Sequence, residues 1–236
     1  MRLLATVLAV AALFVPQDGR ADGGPEALVR KVRSAYGGRA ALEKARVVRQ
    51  EGTVTSLMHE GTGQLVRLFA RPGSLRVEVA FPGGTPEVRV VHAGYGDRNG
   101  VDVTGSFRHA AMVLQAARLA LPLSLAEKGA RLSERGTVER DGRRLRALAL
   151  ALPRGLELVV EVDPETARIV RSAGTIAGPT GAIEFATVYS EWKPVRGVVF
   201  AMHEENYASG QHTGATSLTR VELLAAPPAG AFDEPL

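Results

Sequence analysis

The chain has 236 residues, 45% of them apolar and 23% charged, a balance that builds a packed core and excludes a disordered polymer. Its 29 basic and 25 acidic residues are interspersed and its aromatic content is 5%, which excludes a basic, ring-lined platform for single-stranded nucleic acid. There is no cysteine, so disulfides, thiol catalysis, cysteine-based zinc sites and a lipid-modified N-terminal cysteine are excluded too.

The chain opens with an address. Arg2 supplies a positive start, and Leu3 to Val15 is a run of 13 residues that is apolar except for Thr6. Gly19-Arg20-Ala21 then offers the small residues that a signal peptidase accepts. The run is too short to span a bilayer and has the layout of a secretory signal. Residues 1–21 are therefore expected to be a cleavable signal peptide and 22–236 a single domain, periplasmic or secreted.

Pro25 to Tyr36 is expected as a helix, with Pro25 at its first turn, Glu26 at the positive end of the dipole and Arg33 toward the negative end. Gly37-Gly38 stops it, and a second short helix spans Arg39 to Ala45. Four strands follow, Val47 to Leu57, Gln64 to Arg71, Leu75 to Phe81 and Glu87 to His92, separated by Gly- and Pro-rich turns. Gly94 to Gly100 is expected as a loop or hairpin. Its glycine spacing misses the dinucleotide-binding pattern by one residue, and no parallel βαβ unit surrounds it. Phe107 to Leu121 is the helix inside the strand region, ended by Pro122 and apolar on more than one side, so it requires cover on more than one face.

The strands then resume as Leu132 to Arg140, Arg143 to Leu152, Leu156 to Val162, Arg168 to Ile176, Ala182 to Trp192, Val198 to Tyr207 and Thr213 to Leu224. Leu156 to Val162 places branched aliphatics at its even positions and Glu157 and Glu161 among its odd ones, which predicts one dry and one wet face. Asp141-Gly142 and Asp163-Pro164-Glu165-Thr166 are tight-turn sequences, and strands joined so closely must be antiparallel neighbours. Arg143 to Leu152 alternates Leu with Ala and is dry on both sides. Two-sided strands and an all-round apolar helix together predict a curved antiparallel meander with the helix on its concave face. The tail from Ala225 is rich in Pro and Ala and is expected to run along the surface.

Catalytic or metal-binding patterns do not emerge from the sequence. His59, His92, His109, His203 and His212 have no metal-ligand spacing, and no Ser occupies a nucleophile elbow. His203 and Glu205 can share one face of a strand, and this pair is the basis of a third-ranked hydrolase reading. Glu139, Asp141 and Glu161 have no evident acid–base partner. Trp192 reads as core.

Ala35-Tyr36-Gly37-Gly38 with Ala41-Leu42, then Glu51-Gly52-Thr53, resembles the opening of exported proteins of the LolA/LolB-like lipoprotein-carrier superfamily. Asp163-Pro164-Glu165-Thr166, Tyr189, Val195-Arg196-Gly197-Val198 and the closing Phe232 and Pro235 are similar to that group as well. The resemblance implies an α+β fold: a half-open antiparallel β-barrel whose helices lie over an apolar concave side that receives acyl chains. Without cysteine, the chain cannot be a membrane-anchored receptor of the LolB kind. If the more regular apolar face of each strand points inward, the lipid-contacting residues are Leu75, Val77, Val79, Phe81, Val88, Val90, Leu148, Leu150, Leu156, Leu158, Val160 and Val162. The function implied is non-enzymatic binding of lipid or lipoprotein acyl chains by a monomer without cofactor or nucleic acid, in transient contact with envelope membranes or membrane proteins. A non-transporting stress-sensing or protein-binding module of the same fold is the alternative.

Overall fold

The computed structural model describes residues 24–126, 130–178 and 181–233; the expected signal segment lies outside them. Three α-helices are present among these residues, α1 (Pro25–Ala35), α2 (Gly38–Lys44) and α3 (Phe107–Leu119). The first strands are β1 (Val47–Ser56), β2 (His59–Ala70), β3 (Ser74–Ala80), β4 (Glu87–His92), β5 (Tyr95–Arg98) and β6 (Val101–Asp102). After α3 come β7 (Leu132–Arg140), β8 (Arg143–Ala151), β9 (Glu157–Val162), β10 (Ile169–Gly178), β11 (Gly181–Val195), β12 (Val198–Ala208) and β13 (Gln211–Leu224). Gly94 to Gly100 is thus a hairpin built on β5 rather than an unpaired loop.

All strands join one antiparallel sheet in the order β6-β5-β4-β3-β2-β1-β13-β12-β11-β10-β9-β8-β7. Each neighbour is also a sequence neighbour except at the centre, where β1 pairs with β13. The sheet does not close: β6 and β7 are its free edges, and α3 lies on the connection between them. The architecture is a curved, half-open antiparallel barrel with helices over its concave side.

The turns work as their residues require. Asp141 and Gly142 both take positive φ, the two-residue turn that matches strand twist. Asp163 Oδ1 accepts from the backbone of Glu165 and Thr166, which closes the β9–β10 connection. Gly37 takes φ 115°, and a Cβ there would lie 1.9 Å from the Gly197 carbonyl oxygen, so the junction of α1 and α2 can seat against the β11–β12 turn only as glycine.

Two apolar clusters lie on opposite faces of the sheet. The larger, concave one joins Leu28, Val32, Tyr36 and Leu42 of the N-terminal helices to strand residues from Val48 through Val221. The smaller, convex one gathers Val47, Leu68, Ala70 and Val90 beneath Phe232 of the tail, which also stacks on His92 at 5.7 Å between ring centres.

The convex face of β9 is not the wet face that its glutamates suggest. Glu161 is 2% exposed and is held by Arg140 and Arg171, while Arg135 reaches Glu157. Arg140 and Arg135 belong to β7, so both pairs span β8, whose Ala147 and Ala149 are small and buried. That is how a strand flanked by charged neighbours stays dry on both sides: long, paired side chains cross over its alanines.

Phe232→Ala is expected to lower unfolding free energy by about 3 kcal/mol, because the ring is the lid of the convex cluster. Urea denaturation followed by far-UV circular dichroism measures this, and an unchanged midpoint would show that the tail is not docked.

Candidate functional site

The hollow of the half-barrel is occupied by α3. Ser106 caps the helix, its Oγ accepting from the His109 amide at 3.2 Å. Met112, Leu114 and Ala116 are buried by it. Leu114 presses on Gly174 of β10, where an added Cβ would lie 2.7 Å from Leu114 Cδ2. A bare backbone at this point lets helix and sheet approach closely.

Most of the expected lining residues do face this hollow. Leu75, Val77, Val79, Leu148, Leu150, Leu158, Val160 and Val162 all belong to the concave cluster, with Phe81 packed against it and stacked on His59. Leu156, half-buried ahead of β9, shares their side by alternation. Val88 and Val90 do not. β4 pairs Val91 with Leu75 and Arg89 with Val77, so Val91 and Arg89 face inward and Val88 and Val90 face outward with Glu78 and Arg76. Val90 is fully buried there by the convex cluster under Phe232. The rule that the more apolar face points inward fails at β4 because the C-terminal segment dries the outer face.

A polar group that the sequence reading missed lies within the concave wall. Arg67 of β2, 3% exposed, makes a two-pronged ion pair with Glu204 of β12 at 2.8 and 2.9 Å. Arg118 of α3 donates to Thr187 Oγ1 at 2.6 Å, and Thr187 donates on to Asn206 Oδ1 at 2.9 Å. Tyr189 and Ser172 share a hydrogen bond of 2.7 Å beside them. Burial pushes the Tyr189 phenol up to about 12, Glu204 adding to the effect and Arg118 opposing it, so the ring stays neutral. Burial also raises Glu204, but the Arg67 charge and hydrogen bonds, helped by Arg118, outweigh it and hold the carboxyl below its ordinary 4.5. The signal in the sequence was available: Arg67 lies on the same strand face as Leu65 and Phe69, where a charge is out of place.

Beside these groups the hollow keeps a cavity of about 50 Å³. Leu119, Leu121, Ile169, Val199 and Phe200 form its apolar wall, and Tyr36, Gln50, Arg118, Tyr189 and Glu204 its polar one. A wider groove of about 260 Å³ runs between the convex face and Pro228 and Ala231. The cations beside that groove are already satisfied, Arg49 by Glu51 and Arg76 by Glu78. His203 and Glu205 do meet, at 2.7 Å, and His212 binds the second oxygen of Glu205. They lie across the sheet from the cavity, since Glu204 between them faces it. Among the described residues, no group of His, Asp or Glu is arranged to hold a metal ion.

No protein-family profile and no curated protein sequence matches the chain. Solved structures do. A LolA superfamily protein from Nitrosomonas europaea superposes with a TM-score of 0.52 at 10% identity, covering 81% of this chain and 95% of the other. The fold is LolA-like. A DUF1329 family protein from Desulfovibrio piger shares it, with a TM-score of 0.54 at 10% identity over 88% of this chain and 96% of that one.

Glu204→Gln is expected to cost about 3–5 kcal/mol at neutral pH, because Arg67 is left charged and buried without its counter-ion. Since the folded carboxyl titrates below its ordinary value, the stability supplied by the pair is complete above about pH 4.5 and is lost as pH falls through the lower folded value. Acid-unfolding curves should therefore show a shallower loss in the variant than in the parent over that range; superimposable slopes would refute it.

Proposed function

We propose that the chain is an exported, non-enzymatic binding protein that takes the acyl chain of a lipid or lipoprotein between α3 and the concave sheet, and that it carries this cargo between envelope membranes. The observation behind this reading is the aliphatic concave wall, roofed along its middle by one helix. Leu148, Leu158 and Val160 on one side and Leu75 and Val77 on the other form a surface that would accept a hydrocarbon in place of the helix side chains.

The remaining cavity is far smaller than the roughly 300–1,000 Å³ of a small-molecule pocket. Uptake therefore requires α3 to yield. Re-exposing Met112 and Leu114 costs about 1.5–3 kcal/mol each, and each buried methylene of an incoming chain returns about 0.8 kcal/mol. Roughly eight methylenes offset both side chains, and the further methylenes of a longer acyl chain go against the several kcal/mol that association costs. Met112 fits this role, since an unbranched thioether repacks readily against a new neighbour.

A reversible tether tests the reading. The chain has no cysteine, so the double variant Leu114→Cys, Gly174→Cys places a single disulfide between α3 and β10. Reduced, this variant is expected to take up a fluorescent fatty acid; oxidised, its affinity is expected to fall about tenfold or more. Equal uptake in the two states would rule out entry beneath α3.

A further inference from the structure

The charges of the concave wall do not balance. Arg67 is matched by Glu204 in both its prongs, but Arg118 has no carboxylate within ion-pair distance among the described residues. Its hydrogen-bond acceptor is the neutral hydroxyl of Thr187. Arg67 and Arg118 against Glu204 leave one positive charge in excess inside the barrel. Arg89, the next cation along, is already engaged by Glu87.

A hydrogen bond to a threonine hydroxyl needs no charge; a neutral amide or hydroxyl would serve. A half-buried guanidinium is the expensive choice, and burial pulls the Arg118 pKa downward. Its planar fork is suited to one kind of partner, a carboxylate or phosphate that can accept two parallel hydrogen bonds. The cavity that it lines offers this guanidinium on its polar wall, where the Glu204 carboxylate is already taken by Arg67, and Leu119, Leu121, Ile169 and Phe200 on its apolar one.

Accordingly, we infer that Arg118 is a head-group site: the cavity receives the anionic end of an amphiphile, carboxylate or phosphate, while its hydrocarbon tail replaces the side chains of α3 on the concave wall. This rests on the acyl-chain reading above and narrows its cargo to amphiphiles with an anionic head. The anion would supply the missing counter-charge, and Thr187 and Asn206 fix the guanidinium from behind. Arg118 lies in the last turn of α3, so the residue that grips the head group is carried by the element that must move to admit the tail.

Palmitate, hexadecyl phosphate and hexadecanol share one chain length and differ only at the head, so calorimetric titration of the full chain with each isolates the head-group term. Both anions are expected to bind roughly tenfold or more tightly than the alcohol. The tighter of the two identifies the carboxylate or the phosphate as the natural head. In Arg118→Gln the preference should collapse to within about twofold, and Arg118→Lys should restore part of it. A merely structural role for Arg118 would weaken all three ligands together and leave their ratio unchanged, which would overturn the inference. Equal affinity of the parent for the three ligands would also overturn it while leaving acyl-chain binding intact. Failure of the parent to bind any of them would overturn both readings. The comparison among ligands on the parent chain decides the matter even if Arg118→Gln does not fold.

Discussion

The chain begins and ends its sheet at the same place, and the pairing of β1 with β13 constrains everything that follows. From that central seam one half meanders outward to β6 and the other to β7, so the two strands flanking the middle of the sequence finish at opposite edges. The connection between them must return across the sheet. A flat sheet of 13 strands would be roughly 58 Å wide, whereas the 13 residues of α3 make a rod of about 20 Å. The sheet curls, and the returning helix falls inside the curl. The β1–β13 pairing sends the two edges apart, and the helix on the connection between them covers the hollow.

The ion pair inside the barrel depends on the same curvature. Arg67 and Glu204 sit on β2 and β12, with β1 and β13 between them. On a flat sheet those strands would be roughly 14 Å apart, beyond the comfortable reach of the two side chains for a two-pronged contact. Bending brings them together across the concave side, where low polarity strengthens their attraction and makes either one alone costly. The pair thus ties the two halves of the sheet across the central seam, just beneath the helix that covers it.

A helix laid into a curved sheet is a different object from a second sheet packed on the first. It can leave without breaking the sheet's hydrogen-bond ladder, because its own backbone bonds are internal. Gly105, with positive φ, immediately precedes the Ser106 cap and gives the connection a joint at that end. In the proposed binding mode the wall closed here by protein side chains is closed by hydrocarbon instead, with Arg118 carried on the cover.

Much of this was legible in the sequence. The alternation of Leu158, Val160 and Val162, the turns at Asp141-Gly142 and Asp163-Pro164, and the all-round apolar character of Phe107 to Leu121 each follow from local chemistry, since a period of two or 3.6 and a required φ are properties of a few adjacent residues. Absent from that reading was anything depending on what arrives from far away. Val88 and Val90 look inward-facing by composition, yet Phe232, more than a hundred residues later, dries the outer face instead. Glu161 looks exposed until Arg140 and Arg171 close over it. The ion pair of Arg67 with Glu204, and the unmatched charge of Arg118, exist only once the central seam has folded the two halves toward each other. Local patterning determined which segments are strands and helices and where they turn. Tertiary structure alone decided which face is inside and which charges meet, because burial is set by partners that no short stretch of sequence contains.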